Sequence, residues 1–485
     1  MNKRFSPTHH IVIIGGGLAG TLSAMKILNR CADNDAAGLQ CVITIVERRD
    51  TLGRGVAYST VEKAHLVNAP AAMFSLHRED PDHFINWLET NGADNDWQVP
   101  ADIAGACVPR WLYGTYVQDE LKKAVQKAAG RATLRHLRSD AVRLLRRRGA
   151  LSVETSSGES LAADEVVLAL GVFQGKLPAL ETAAAMHPSF VVDPWKPENL
   201  DRLRHVSRLL LIGSSLSMVD VVASMEGRGF KGQYHVVSRR GQLVEKRQET
   251  QEWAEFLSPS SLPKSARALV ALIRQQTRHN DAAGLSWHGL PASLRAWILP
   301  LWQQAPNREK LRFTRHLRSF WDVVAHRAAA SSYAALEQAR TDGRFFNAAG
   351  RVLSIEPKGD SLSVTLRWRR DGRQETLLFD GVVNCRGHQE HDWRRVDDIF
   401  VKNLLADGIA RPHATGFGLD ATNDGAVVDL DGHAQSDVLA IGHPLRGVAW
   451  ESSSINEQLT QAIALADRLA ARLAFPPGTP SYQEA

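Results

Sequence analysis

The residues best placed for chemistry are Gly15, Gly17 and Gly20 in Gly15-Gly16-Gly17-Leu18-Ala19-Gly20. Gly15 permits a tight turn, Gly17 lets a pyrophosphate approach the backbone, and Gly20 lets the following helix pack closely on the preceding strand. A helix N-terminus there offers amide donors and the positive end of a dipole to phosphates. Glu47 closes the next apolar run, Cys41 to Val46. Its carboxylate can accept hydrogen bonds from both hydroxyls of a ribose and would repel a 2′-phosphate. Together these residues point to an adenine dinucleotide.

A second, degenerate turn is Gly213-Ser214-Ser215, with Ser215 and Met218 where further glycines would stand. The serines offer hydroxyls to a pyrophosphate in place of close backbone approach. The run after it ends in Ser238-Arg239-Arg240, a basic, hydroxyl-bearing end where a 2′-phosphate would be read. Two surface arginines at a strand end are the plainer reading of the same residues.

These turns need strands before them and helices after them. Ile11 to Ile14 reads as a strand, and Ala24, Ile27 and Leu28 mark the helix that follows. The second unit repeats this with Leu209 to Ile212, Met218 to Met225 and Tyr234 to Val237. Each unit is followed by short strands: Thr133 to Arg138, Val142 to Arg147, Leu151 to Thr155 and Val166 to Gly171 in the first. In the second they are Arg344 to Ala348, Val352 to Glu356, Leu362 to Trp368 and Val382 to Gly387. The predicted fold is α/β, with two Rossmann-like dinucleotide-binding domains, each carrying a small β-meander, the second inserted in the first. The expected boundaries are 1–200 and 388–485 for the first domain and 205–387 for the second, with a helical insertion at about 250–340.

A length of 485 residues accommodates that division. A net charge of +5 is too small over this length to imply a nucleic-acid partner, and Arg146-Arg147-Arg148, before Gly149, reads as a solvated hairpin end. Cys31, Cys41, Cys107 and Cys385 show no metal-ligand or disulfide-framework spacing, so reduced thiols, a cytoplasmic location and no metal are expected. Met1 to His10 is polar and lacks signal-peptide character, and the most apolar stretch, Leu209 to Met225, holds Asp220 and four serines, too polar to span a bilayer. The expectation is a soluble protein; the sequence does not fix its oligomeric state.

More specific runs are Gly53-Arg54-Gly55-Val56-Ala57-Tyr58, His65-Leu66-Val67-Asn68-Ala69-Pro70 and Pro109-Arg110-Trp111-Leu112-Tyr113-Gly114-Thr115-Tyr116. Later come Leu216-Ser217-Met218-Val219-Asp220, His316-Leu317-Arg318, Trp321-Asp322, His326-Arg327, and Ile441-Gly442 through Arg446-Gly447 to Trp450-Glu451. With these the chain resembles the two-dinucleotide flavoproteins, and among them a bacterial group that includes FAD-dependent urate hydroxylases and aspartate N-monooxygenases. The resemblance implies FAD in the first domain, NADH or NADPH in the second, and O2 with a small molecule as substrates. Ser215 departs from the group, which usually keeps a glycine there.

On that reading Gly55 and Arg54 approach the flavin or its phosphates, Asn68 and Met73 face the flavin or the core, and Arg110 and Tyr113 reach the adenine or pyrophosphate end. Gly442 ends a strand, and Ser454 and Glu457 have capping-box spacing before a C-terminal helix. Leu311 to Arg327 is predicted as one helix with Phe313, Leu317, Phe320 and Val324 on its apolar face. Arg315, Arg318, Ser319, Asp322 and His326 then fall on a solvated stripe. His316 and Arg327 lie at the apolar margin, where His316 could move a proton and Arg327 could pair with an anionic substrate. The expected activity is flavin-dependent oxygenation, first of urate to 5-hydroxyisourate on resemblance alone. N-hydroxylation of an aspartate-like amino acid is the alternative, and a redox sensor without organic substrate is a third reading.

Overall fold

The computed structural model describes residues 8–33, 40–389 and 391–474; Met1 to Pro7, part of the expected polar N-terminus, lies outside them. A six-stranded sheet has the order Ala426–Val428, Ala434–Ala440, Glu165–Leu168, Thr8–Ile14, Gln40–Val46, Ala132–Leu137. All its pairs are parallel except the first. Strands buried on both faces must be apolar throughout, as Ile11 to Ile14 are. Helices Leu18–Asp33, Arg110–Lys127 and Ile455–Ala474 cover one face. The antiparallel meander Ala141–Arg147, Ala150–Thr155, Ser160–Ala163 and helix Ile399–Ala406 cover the other.

A seven-stranded sheet has the order Gln374–Phe379, Ser361–Trp368, Phe345–Lys358, Gln233–Ser238, Arg208–Ile212, Gly381–Asn384, Phe190–Val191. It is therefore built from a stretch interposed between the early and late strands of the first sheet, and it begins at Phe190, ahead of the expected boundary. The two strands expected at Arg344 to Ala348 and Val352 to Glu356 are one strand, Phe345–Lys358. Its first half pairs in parallel with Gln233–Ser238, and from Gly350 onward it pairs antiparallel with Ser361–Trp368. One strand thus serves both the parallel sheet and the meander.

One sequence expectation needs correction here. Arg146 sits at a hairpin end, but its guanidinium is paired with Asp437 on the neighbouring sheet, so that end is not simply solvated. Cys31 and Cys41, ten residues apart in sequence with a helix end and a strand start between them, bring their thiols into hydrogen-bonding contact while remaining free. Among the described residues no helix is long and apolar enough to cross a membrane.

The two sheets are joined through Arg110. Its guanidinium donates to Asp220 Oδ2 at 2.8 Å, in the helix after the second glycine turn, and to the Leu66 carbonyl at 2.9 Å, and it lies 4.6 Å over the Trp195 ring. Burial pushes the Asp220 carboxyl up to about 6, against the pull of Arg110. A carboxyl whose folded value lies above its unfolded one favours the folded state as pH falls through about 6. Arg110→Ala is therefore expected to cost about 3 kcal/mol near neutral pH, where Asp220 loses its partner while charged, and much less at about pH 5, where it takes up a proton. Urea unfolding at both pH values checks this; an equal loss at both would show that the stranded carboxylate is not the source.

Candidate active site

The first glycine turn is shaped by contacts that leave no room for side chains. Gly15 has φ +101°, and a Cβ there would lie 2.3 Å from the Ala169 carbonyl oxygen; a Cβ on Gly20 would lie 1.9 Å from the Gly15 carbonyl oxygen. Gly17 differs, since its Cβ would meet only Gly55 Cα, at 3.4 Å. Gly55 has φ +52° and lies directly over this turn, held there by the Gly53 amide donating to the Gly16 carbonyl at 2.8 Å. Gly442, at φ +74°, approaches Ala19 from a third segment. Three stretches distant in sequence therefore converge on the N-terminus of helix Leu18–Asp33, where phosphate would be held by amides.

Glu47 is buried at the end of its strand. It accepts from the Gly16 amide at 3.0 Å and from the Arg49 amide at 3.0 Å, and the remaining lone pairs can take ribose hydroxyls. Arg54 donates to Gln118 Oε1 at 3.0 Å and Thr115 Oγ1 at 3.1 Å. Both partners are neutral, so its charge is not offset by them, and burial pushes its pKa down. Asn68 gives its carbonyl to Arg247 Nε at 2.9 Å. Arg110 is engaged with Asp220, and Tyr113 is buried in a ring cluster with Tyr58, Phe74, Phe84 and Tyr116. Arg110 is thus held across the domain joint and Tyr113 within the ring cluster. Ser454 accepts from the Glu457 amide at 3.3 Å and caps Ile455–Ala474 as expected.

In the second unit Gly213 has φ +116°, and its Cβ would strike the Cys385 carbonyl oxygen at 2.4 Å, so glycine is required there. Ser214 Oγ donates to the Gln242 carbonyl. Ser215 is exposed at the N-cap of Leu216–Gly227 and makes no capping hydrogen bond, leaving its hydroxyl available at a helix N-terminus. Ser238 Oγ accepts from the Gly241 amide and so shapes the turn. Arg240 lies 5.0 Å over the Phe320 ring. Burial, then the nearby Arg318, Arg351 and Arg240, push the Arg239 pKa down, with Asp322 opposing.

The expected helix from Leu311 to Arg327 is replaced by helix Asn307–Arg312, a wide π-turn Phe313–Leu317 and helix Arg318–Ala325. The π-turn adds residues to one turn and rotates the following face. Phe320 is 50% exposed, and His316, expected beside the core, is exposed. Arg315 is exposed as expected, but the rest of the stripe expected to be solvated turns partly inward: Arg318 lies 4.8 Å over Phe417, Asp322 lies 3.4 Å from Arg318, and His326 stands 4.0 Å from Glu451. Arg446 covers the Trp450 ring at 4.7 Å, and Trp321 donates to Glu451 at 2.8 Å. This polar wall between the helical insertion and the 443–454 segment was invisible to helix arithmetic because its partners are remote in sequence.

Arg327 lies beyond the helix end, yet it is only 6% exposed. One nitrogen donates to the His288 carbonyl at 3.0 Å and its buried Nε has no partner. Burial, with Arg247 and Arg295 nearby, pushes its pKa down to about 10. Among the described residues none of these three arginines forms an ion pair with a carboxylate. Arg247 links the cluster to Asn68 and thus to the first domain. Sequence reasoning found Arg327 and missed Arg247, Arg295 and His288, which lie in separate segments.

Residues 12–173 match the family model described as FAD-NAD(P)-binding. An uncharacterized protein from Mycobacterium tuberculosis is 22% identical over 472 residues, spanning 86% of this chain and 87% of that protein. The reduced ornithine hydroxylase of Pseudomonas aeruginosa has a TM-score of 0.62 at 13% identity, covering 96% of this chain and all of its own. The ornithine N-hydroxylase of Kutzneria sp. 744, solved with reduced FAD, NADP+ and L-ornithine, has a TM-score of 0.61 at 16% identity, with 96% and 100% covered. The FAD-bound cadaverine monooxygenase of Erwinia amylovora has a TM-score of 0.62 at 14% identity, with 98% and 99% covered. The chain has the fold of these proteins, two Rossmann-like dinucleotide-binding domains in parallel α/β sheets.

The glycine contacts separate two roles. Gly20→Ala drives a Cβ into backbone and is expected to lower stability by about 1–3 kcal/mol. Gly17→Val meets only the Gly55 loop and is expected to fold, but to fill the space a pyrophosphate would cross. Nucleotide released by heat and quantified against protein, together with the melting temperature of each variant, checks this. Normal nucleotide content in Gly17→Val would overturn the assignment.

Proposed function

We propose that the protein is a flavin-dependent monooxygenase that N-hydroxylates an amine on a small anionic substrate, using NAD(P)H and O2. The observation that carries the substrate class is the cluster of Arg247, Arg295 and buried Arg327 without a carboxylate partner. Arg327 is buried, Arg247 half-buried and Arg295 exposed; a buried guanidinium stays charged and is stabilised by an acid, which a carboxylate on the substrate would supply. The fold it shares with ornithine and cadaverine hydroxylases favours an amine as the acceptor over urate.

The cradle of Gly15, Gly17 and Gly55, the carboxylate of Glu47 and the unneutralised Arg54 suit FAD, whose pyrophosphate would lie at the N-terminus of Leu18–Asp33. FAD, once reduced by NAD(P)H, supplies activated oxygen for transfer to the substrate nitrogen. Gly213, Ser214 and the free hydroxyl of Ser215 would hold the second dinucleotide, and Arg239 its 2′-phosphate. The three arginines orient the substrate carboxylate and, by like-charge repulsion, lower the pKa of an ammonium beside them, favouring the neutral amine that can attack oxygen. Burial and the neighbouring Arg327 push the His288 pKa down, so its ring stays neutral beside the three arginines and faces Arg327 through Nδ1 at 3.5 Å.

Three measurements test this. NAD(P)H oxidation and O2 uptake, screened with aspartate, glutamate, ornithine, lysine and urate, should rise with an amino acid, with a hydroxylamine product identified by mass spectrometry. Stimulation by urate alone would transfer the reading to purine oxidation, and no stimulation by any would favour a sensor. Arg327→Lys should retain flavin and fold while losing about 2–4 kcal/mol in kcat/KM, since an ammonium cannot reproduce bidentate pairing. A lowered melting temperature with unchanged kinetics would make Arg327 structural. Arg239→Ala should weaken NADPH much more than NADH, and equal effects would remove Arg239 from 2′-phosphate recognition.

A further inference from the structure

The sequence pattern offered no metal-ligand spacing, yet folding brings His77, His83 and Glu120 together, with one ligand atom from each lying within 4.8 Å of the others. His77 comes from the loop before helix His83–Asn91, His83 from the first residue of that helix, and Glu120 from helix Arg110–Lys127. The cluster lies on the outer side of the first domain, bordering a cleft of about 510 Å³ lined also by Lys26, Arg30, Lys123 and Lys127. It belongs to neither glycine turn and takes no part in the function proposed above.

We propose that His77, His83 and Glu120 form a binding site for a divalent ion of the zinc class. The side chains are arranged as ligands as well as being near one another. His77 Nε2 stands 2.7 Å and His83 Nε2 3.9 Å from the same oxygen, Glu120 Oε2. The other nitrogen of each ring is held from behind: His77 Nδ1 faces Glu79 Oε1 at 3.4 Å, and His83 Nδ1 bonds the Tyr116 hydroxyl at 2.8 Å. Such outer partners fix the ring orientation of metal-binding histidines and raise their basicity. Glu120 is 4% exposed, and its second oxygen accepts from Lys123 at 2.7 Å, so Oε2 is directed at the two rings. Two histidines and one glutamate with an open fourth position make a set that suits zinc, and the cleft supplies the opening.

Metal entry requires His77 Nε2 to be free of hydrogen, with the ring hydrogen on Nδ1 toward Glu79, and the ion then replaces the His77–Glu120 hydrogen bond. The ion must also compete with the Lys123 ammonium for Glu120. Once bound, it would clamp the 75–77 loop and both helices at one point.

The test uses the full chain with its cofactor bound, free of any histidine tag and stripped with a chelator. Zinc is titrated against a chromophoric competitor, and cobalt is added as a spectroscopic stand-in whose bands at longer wavelength than flavin absorption report coordination geometry. One zinc per chain and tetrahedral cobalt bands are expected, with both lost in His77→Asn and His83→Asn and zinc affinity lowered about tenfold in Glu79→Ala. Absence of stoichiometric zinc uptake by the unmodified protein overturns the proposal whatever the variants do. So does uptake unchanged in folded His83→Asn. Should His77→Asn fail to fold, His83→Asn and Glu79→Ala decide.

Discussion

Every candidate binding group in the first domain hangs from the pairing of Thr8–Ile14 with Glu165–Leu168, and of that strand in turn with Ala434–Ala440. These central strands place the glycine turn, the Ala169 carbonyl that requires Gly15, and Gly442 side by side. In a parallel sheet the strand ends that carry ligands all lie along one edge. If the late strand failed to return beside Glu165–Leu168, Gly442 and the capped helix Ile455–Ala474 would be absent from the cradle. The second domain meets the same edge through Arg110 and Asp220, and the helical insertion meets it through Trp302, whose Nε1 donates to the Gly447 carbonyl at 2.8 Å and whose ring lies 4.9 Å from that of Trp450.

The local parts of this arrangement were legible in the sequence. An apolar run, a glycine turn and a periodic helix lie within a few residues of each other, so both dinucleotide units, the strand ends at Glu47 and Ser238, and the Ser454 cap could be placed. The 311–327 region was misread because the arithmetic assumed 3.6 residues per turn throughout, and the π-turn at Phe313–Leu317 breaks that period. Its polar stripe has an inward face only because Phe417 and Trp450 arrive from far along the chain. Arg110 and Tyr113 illustrate another limit. One helical turn was enough to group them, yet Arg110 faces Asp220 across the domain joint while Tyr113 is packed among rings.

Charge supplies the second theme. Arg344 meets Glu226 and Arg386 meets Glu181 as bidentate pairs. Against that background it is a local departure that, among the described residues, Arg327 forms no ion pair with a carboxylate. Buried polar groups left without partners destabilise a fold unless a ligand completes them. The unpartnered Arg327 Nε lies in the inserted domain, and Arg54, with neutral partners only, lies in the loop over the glycine turn.

The order of the strands also constrains how the chain acquires its structure during synthesis. The inserted sheet is drawn from one continuous stretch, Phe190 to Asn384, so all its strands have left the ribosome while Ala434–Ala440 and Ile455–Ala474 are still to be made. The first sheet can begin with its early strands, but one side of Glu165–Leu168 and the helix that packs on Leu18–Asp33 must wait for the last residues. Domains generally fold as units while the chain emerges. Here the domain that starts second is completed first, and the nascent first domain presents an unpaired apolar strand edge to its surroundings until Ala434–Ala440 emerges.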